Sequence, residues 1–133
     1  MQKGASVLYE GEHCQISIMS PSAGVVIVRI FGSDVGEFGS APLSHLKEYF
    51  LEDEKIRLYI DARHARAASV DVSNIWAQWL GKYQSKFDHI SMLTGSKYIQ
   101  VAAGFVRSFS SLEDIMSIYT ESHAFDRALE ATL

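Results

Sequence analysis

The stretch Lys55-Ile56-Arg57-Leu58-Tyr59-Ile60-Asp61-Ala62-Arg63 decides the fold, because its apolar side chains alternate up to Asp61. A period of two residues is typical of a β-strand. After a polar linker the apolar spacing becomes helical and stays so beyond Leu80. A strand, a loop and an amphipathic helix in that order make half of a βαβ unit. One side of this predicted helix carries Ile75, Trp76, Trp79, Leu80 and Tyr83.

Size and charge narrow the class of protein. The 133 residues, 47% of them hydrophobic and 21% charged, predict a single domain over residues 1–133 with its own core. A net charge of −4 without any Lys/Arg block argues against nucleic acid as a partner. The densest apolar run, Val25 to Phe31, is too short to span a membrane. A lone cysteine, Cys14, and an N-terminus without an apolar signal core predict a cytoplasmic protein.

The remaining patterns predict the order of the elements. Residues 15–19 and 25–31 form an antiparallel hairpin, and residues 1–13 are either an extended arm or an extra strand. Strands and helices then alternate, so the later strands should run parallel. The predicted class is α/β, with the order β-β-α-β-α-β-α-β-α and a mixed, mostly parallel sheet covered by helices. Ser40, Ser96 and Ser122 are predicted to cap the first, third and fourth helices, and Glu52-Asp53-Glu54 to end the first.

This order resembles the STAS fold, and in particular the SpoIIAA-like proteins related to anti-sigma-factor antagonists. Three segments of Cys14 to Leu133 carry the resemblance: Val26 to Gly32, Leu58 to Asp61, and Ser69 to Ile75. The resemblance implies a non-enzymatic regulatory module that interacts with a protein partner, either a kinase or an anti-sigma-like regulator.

The phosphate-accepting motif of those antagonists is altered in this chain. The motif reads hydrophobic-Asp-Ser-Ser/Thr-Gly, and its first serine accepts the phosphate. Here Asp71 matches the aspartate, Val72 falls on the acceptor, Ser73 on the second hydroxyl and Asn74 on the glycine. A valine cannot be phosphorylated, so phosphorylation at Ser69 or Ser73 is a separate hypothesis.

The segment from Asp61 to Ser73 is the predicted functional loop. Partners of open α/β sheets gather at the carboxyl ends of strands, and a helix N-terminus with nearby arginines tolerates an anion. The alternative is that Ser69 or Asp71 only caps the helix and the arginines are solvated. The predicted interaction or regulatory residues are Asp61, Arg63, Arg66, Ser69, Asp71, Ser73 and Asn74.

The aromatic residues support a second hypothesis. Trp76 and Trp79 lie three residues apart, so they either pack on the sheet or line a pocket or an interface with Tyr83. With Phe109, which is predicted to point inward, they favour an alternative function. This alternative is a small-molecule or lipid-binding module with a cavity of roughly a few hundred Å³ between sheet and helices. The wide apolar stripe and the nearly uncharged hairpin also favour a homodimer.

No pattern predicts catalysis. None of the five histidines has metal-ligand spacing, and there is no Gly-x-Ser-x-Gly nucleophile motif. Cys14 lies at a strand start, where no helix N-terminus lowers its pKa. We therefore expect no enzyme activity, no cofactor and no metal site.

Overall fold

The computed structural model describes residues 6–133, which form one six-stranded sheet covered by four helices. The strands are β1 (Val7–Glu10), β2 (Cys14–Ser22), β3 (Val25–Asp34), β4 (Ile56–Ala68), β5 (Phe87–Thr94) and β6 (Met116–Tyr119). The helices are α1 (Ala41–Leu46), α2 (Val70–Lys82), α3 (Lys97–Phe109) and α4 (Ser122–Glu130), with short 3-10 turns at Lys47–Tyr49 and Gln84–Lys86.

The strands lie side by side in chain order. β1, β2 and β3 pair antiparallel, whereas β3, β4, β5 and β6 pair parallel. This confirms the predicted hairpin, the parallel strands and, apart from the added β1, the predicted order of elements. Of the two predictions for residues 1–13, the extra strand is confirmed by β1; residues 1–5 lie outside the described part.

The two faces of the sheet carry separate cores. Leu58 and Ile60 point into the larger core, which the side chains of α1, α2 and α3 cover. Tyr59 alternates to the opposite face, where Phe125 and Leu129 of α4 cover it. β3 lies between the two cores and is buried from Val25 to Val28, as expected for a strand that is covered on both sides.

The predicted loop from Asp61 to Ser73 is wrong for its first eight residues, because β4 continues as a strand to Ala68. The extension pairs with the end of β3, where Phe31 lies opposite His64 and Asp34 opposite Ala68. Two register shifts accommodate it. Because β3 supplies the backbone partners, this alanine-rich segment remains a strand despite its low β propensity.

The end of the first helix and the cap of the fourth need correction, and the predicted N-cap of the first is confirmed in position only. The first helix ends at Leu46 and a 3-10 turn to Tyr49 follows it, so the acidic residues 52–54 lie beyond the helix. Ser40 occupies the N-cap of α1 without a side-chain hydrogen bond. Glu121, and not Ser122, caps α4, because its carboxylate accepts hydrogen bonds from the next backbone N–H groups. The prediction that Ser96 caps α3 is confirmed.

Phe109 was also predicted to point inward, but it is exposed at the end of α3. Within residues 6–133, no helix has both the length and the apolar character that crossing a bilayer would require.

Candidate functional site

Ser69 fixes the junction between β4 and α2. Its hydroxyl oxygen accepts a hydrogen bond from the backbone N–H of Val72 at 3.1 Å, which is an N-cap. Its own N–H donates to the carbonyl of Asp34 at 2.9 Å, so the end of β3 is tied to the same point. Asp71 is exposed in the first turn, where a negative charge favours the helix dipole. The prediction that Ser69 caps the helix is therefore confirmed, whereas Asp71 lies in the first turn and is not the N-cap.

The residues at the phosphate-acceptor positions are buried. Val72, which aligns with the acceptor serine, has 7% of its surface exposed, and Ser73 has 9%. Ser69 is half-buried with its hydroxyl in the cap. Ser73 thus lies buried within the first turn of α2, whereas Ser69 precedes the helix and its hydroxyl is engaged by the cap.

Asp61 and Arg63 belong to a different environment, on the side of the sheet that α4 covers. Asp61 is 8% exposed and accepts hydrogen bonds from Arg63 Nε at 3.0 and 3.2 Å. Arg29 on β3 is a more distant partner, with Nε 3.9 Å from the Asp61 carboxylate. The Arg63 guanidinium also donates to both carboxylate oxygens of Asp126 on α4. This network joins β3, β4 and α4.

The charges in this network stabilise one another. Hydrogen bonds to Asp126 and Asp61 raise the pKa of Arg63, so its charge is permanent at any relevant pH. The same guanidinium lowers the pKa of Asp126. Arg63 therefore neutralises carboxylates of its own chain.

The seven predicted loop residues consequently do not form one site. Asp61 and Arg63 face α4, whereas the residues from Ser69 onward start α2 on the opposite face of the sheet. Arg66 is exposed on the β4 extension, and its carbonyl accepts a hydrogen bond from Ser96. The alternation of residues along β4 could not separate Asp61 and Arg63 from the residues after Ser69. The register shifts between β3 and β4 change the face of the sheet to which each side chain points.

The first turns of α2 present an apolar surface to solvent. Val70 is 76% exposed and Ile75 is 42% exposed, although the predicted apolar side of the helix groups Ile75 with the buried Leu80. Asp71 is exposed beside them and Asn74 is half-buried on the same side of the helix. We call Val70, Asp71, Asn74 and Ile75 the α2 outer face. The exposed Asp71 carboxylate thus lies between two exposed β-branched side chains.

The predicted aromatic residues divide between two places. Trp79 and Tyr83 contact Phe50, and Trp79 also contacts Phe87, so they form an aromatic cluster beside the 3-10 turn after α1. The ammonium of Lys47 lies 5.3 Å from the Tyr83 ring. Lys47 and then Lys82 lower the pKa of Tyr83. Only Trp76 of the predicted trio lines a cavity.

That cavity lies between the sheet and helices α2 and α3 and has a volume of about 60 Å³. Its walls are apolar apart from Asp34 and Ser73. It exists because alanines stand where larger side chains would fill the space. These alanines are Ala62, Ala65, Ala67 and Ala68 on β4 and Ala102 and Ala103 on α3. Sequence analysis placed a possible pocket between the sheet and the helices but did not identify its alanine lining, although the clustering of alanines in two packed elements was a usable signal.

Asp34 is the one ionisable group of the cavity wall. It has 7% of its surface exposed, and one carboxylate oxygen accepts a hydrogen bond from the Gly36 N–H at 3.1 Å. Burial raises the pKa of the carboxyl, the Gly36 hydrogen bond opposes this, and Glu37 adds to it. The cavity therefore offers one ionisable anchor in a wall that is apolar apart from this group and Ser73.

Across residues 6–133, no three His, Cys, Asp or Glu side chains are placed to hold a metal ion. Cys14 is 3% exposed, and burial raises the pKa of its thiol to about 12. A protonated, buried thiol is a poor nucleophile and a poor metal ligand.

Comparison with solved structures places the architecture in the STAS-like, SpoIIAA-like class of folds. An uncharacterised protein of the DUF3478 family with a SpoIIAA-like fold, from Shewanella loihica PV-4, superposes with a TM-score of 0.60 at 14% identity. That match covers 91% of this chain and 98% of the other. An anti-sigma factor antagonist from Mycobacterium paratuberculosis gives 0.52 at 13% identity, over 95% and 93%. No family model and no curated protein matches the sequence.

Proposed function

We propose that this chain, with its STAS-like fold, is a non-enzymatic regulatory module that binds a protein partner through the α2 outer face. The observation that carries the proposal is the exposure of Val70 and Ile75 around Asp71, on a helix start that β3 and β4 hold in place. Exposed apolar side chains on a rigid element are typical of interaction surfaces. The anti-sigma factor antagonist among the similar structures supports the same class of function.

The partner class that the resemblance implies is a kinase or an anti-sigma-like regulator. The proposed recognition does not require phosphorylation, because the acceptor position is Val72 and the neighbouring Ser73 is buried. Shape and the Asp71 charge would provide specificity instead. The proposed compartment is the cytoplasm, because Cys14 is a free thiol.

The test is quantitative affinity purification from the source organism with the tagged full chain. We expect a stoichiometric protein to be recovered with the wild type and lost with Val70→Asp or with Asp71→Lys. Leu8→Asp is the matched control, since Leu8 is 56% exposed at the β1 edge of the sheet. Recovery of the same partner with all three variants would contradict the proposed surface.

The cavity supports a second candidate, a small apolar ligand between α2, α3 and the sheet. Its volume of about 60 Å³ is far below the roughly 300 Å³ at which pockets for drug-sized ligands begin. A ligand would therefore be small, or α2 and α3 would separate to admit it. A donor group on the ligand could bond to Asp34, which is the ionisable group of the wall.

Native mass spectrometry of gently purified protein tests this candidate. We expect a defined added mass on the wild type that is lost when Ala103→Val narrows the cavity. Ala124→Val, on the exposed part of α4, should keep it. Apo protein alone in every preparation would count against a ligand.

A further inference from the structure

Helix α3 exposes a second apolar surface to solvent. This surface is separate from the side of α3 that packs in the core and from the α2 outer face. Its inward side is Ile99, Ala103 and Val106, which are buried against the sheet. A separate set of apolar residues recurs every three or four positions along the flank of the helix, so these side chains lie in one row. Two of them touch, because the rings of Phe105 and Phe109 stack with centroids 5.3 Å apart. This α3 apolar flank consists of Tyr98, Val101, Phe105 and Phe109, which are 79%, 73%, 40% and 59% exposed.

We propose that the α3 apolar flank binds the same flank of a second copy of this chain, with the two helices antiparallel. The stripe is self-complementary about its centre: Tyr98 of one copy meets Phe109 of the other, and Val101 meets Phe105. A two-fold axis produces such an isologous contact, and it is the commonest symmetry of soluble homo-oligomers. The proposal concerns α3 and does not depend on the partner proposed for α2.

The charges around the flank favour this arrangement. α3 contains no acidic residue, and Lys97 is exposed at its start. Glu113 and Asp114 are exposed in the connection that follows its end. In the antiparallel arrangement Lys97 of each copy approaches the acidic connection of the other, and the helix dipoles oppose one another. In a parallel arrangement each Lys97 would meet its own counterpart.

The available area is sufficient for a reversible dimer. A buried aromatic side chain contributes 150–250 Å², so covering the exposed parts of four side chains on each copy would bury on the order of 1,000 Å². This is near the lower limit for a specific interface and predicts an association that depends on concentration.

Sedimentation velocity of the full chain over a hundredfold range of concentration is the first test. We expect the mass to rise from 14.8 kDa toward twice that value. Phe109→Glu should weaken dimerisation at least tenfold, because it places a charge in the seam. Leu8→Glu, equally exposed but at the opposite edge of the sheet, should dimerise like the wild type.

A charge exchange tests the antiparallel register. Lys97→Glu should weaken dimerisation about fivefold, as expected for the two exposed ion pairs of a symmetric dimer, and adding Glu113→Lys should restore it. A mass of 14.8 kDa at every concentration would overturn the proposal. If such a monomer instead co-floated with anionic phospholipid vesicles, the flank would bind a membrane and the dimer proposal would equally be overturned. A dimer that Phe109→Glu leaves intact would overturn it as well.

Discussion

Arg63 on β4 and Asp126 on α4 form a two-pronged ion pair, with Nη2 2.5 Å from Oδ1 and Nη1 3.3 Å from Oδ2. The pair connects residues that are 63 positions apart in the chain. It holds α4 on the face of the sheet opposite to α2. Because Asp61 occupies the other edge of the same guanidinium, α4 is anchored to the middle of β4 by charge as well as by Phe125.

Asp126→Asn should therefore lower the free energy of unfolding at neutral pH. Arg63 lowers the pKa of Asp126 below 3.8, its ordinary value, which also applies to the unfolded chain. The stabilisation is thus present above pH 3.8 and is lost as pH falls through the folded pKa. The Asp126 side chain is 46% exposed, so we expect a loss of only about 0.5–1 kcal/mol at pH 7. Urea denaturation of both proteins at a series of pH values measures it.

The matched control is Asp88→Asn. Asp88 pairs with Arg57 at 3.2 Å, but through one contact between side chains that are about half exposed. We expect a change below about 0.5 kcal/mol. Equal losses for the two variants would show that the Arg63 pair has no special part in holding α4.

Gly95 should be intolerant of a side chain. It follows β5 where the chain passes close to β4, and a Cβ there would overlap the backbone carbonyl of Arg63. Since backbone must move to relieve the overlap, Gly95→Ala should destabilise the fold by about 2–4 kcal/mol. In Gly104→Ala, by contrast, the added Cβ in α3 meets no atom within 4 Å. That variant should gain about 0.5–1 kcal/mol from helix propensity, and thermal unfolding of the pair would reveal opposite signs.

The sequence predicted the strands well where local and tertiary preferences agree. Val25 to Phe31 is rich in β-branched residues, and Ile56 to Ile60 alternates, so both were recognisable without a structure. The extension of β4 to Ala68 was not, because its alanines and arginines carry no strand signal. Pairing with β3 imposes the strand conformation on this segment. The local sequence has no pattern that indicates this long-range pairing.

The site was only partly predictable for the same reason. Serine is a preferred N-cap residue, so the capping of α2 by Ser69 could be expected from the sequence. The role of Arg63 depends on Asp126, a partner in a distant helix that no spacing rule connects to it. Likewise, a single alanine in a sequence indicates that two elements pack closely. A cavity forms here because alanines of β4 face alanines of α3, and the sequence does not show which residues face one another.

Ser69 and Ser122 are both serines at helix starts, but only Ser69 accepts the capping hydrogen bond, so their substitution should have different effects. Ser69→Ala removes the acceptor for the Val72 N–H and should cost about 1 kcal/mol. Ser69→Asp should restore most of this stability, because a carboxylate can accept the same hydrogen bond. Ser122→Ala should have no effect beyond a few tenths of a kcal/mol, since Glu121 caps α4. Equal losses for Ser69→Ala and Ser122→Ala in guanidinium denaturation would contradict these assignments.

Two buried helical alanines should respond oppositely to the same enlargement. Ala103 on α3 and Ala77 on α2 are each 1% exposed, but only Ala103 lines the cavity. In Ala103→Val the two added carbons enter empty space, and each buried carbon gains about 0.8 kcal/mol. After the helix-propensity cost of valine, we expect Ala103→Val to be neutral or stabilising by up to about 1 kcal/mol.

Ala77→Val carries the same propensity cost without free space. Its carbonyl also accepts a hydrogen bond from Ser110 where α2 and α3 meet, so the two helices cannot separate freely there. Overpacking should therefore cost about 1–3 kcal/mol in chemical denaturation. If Ala103→Val were as destabilising as Ala77→Val, the space between α2, α3 and the sheet would be closed in solution, and the ligand hypothesis would lose its structural basis.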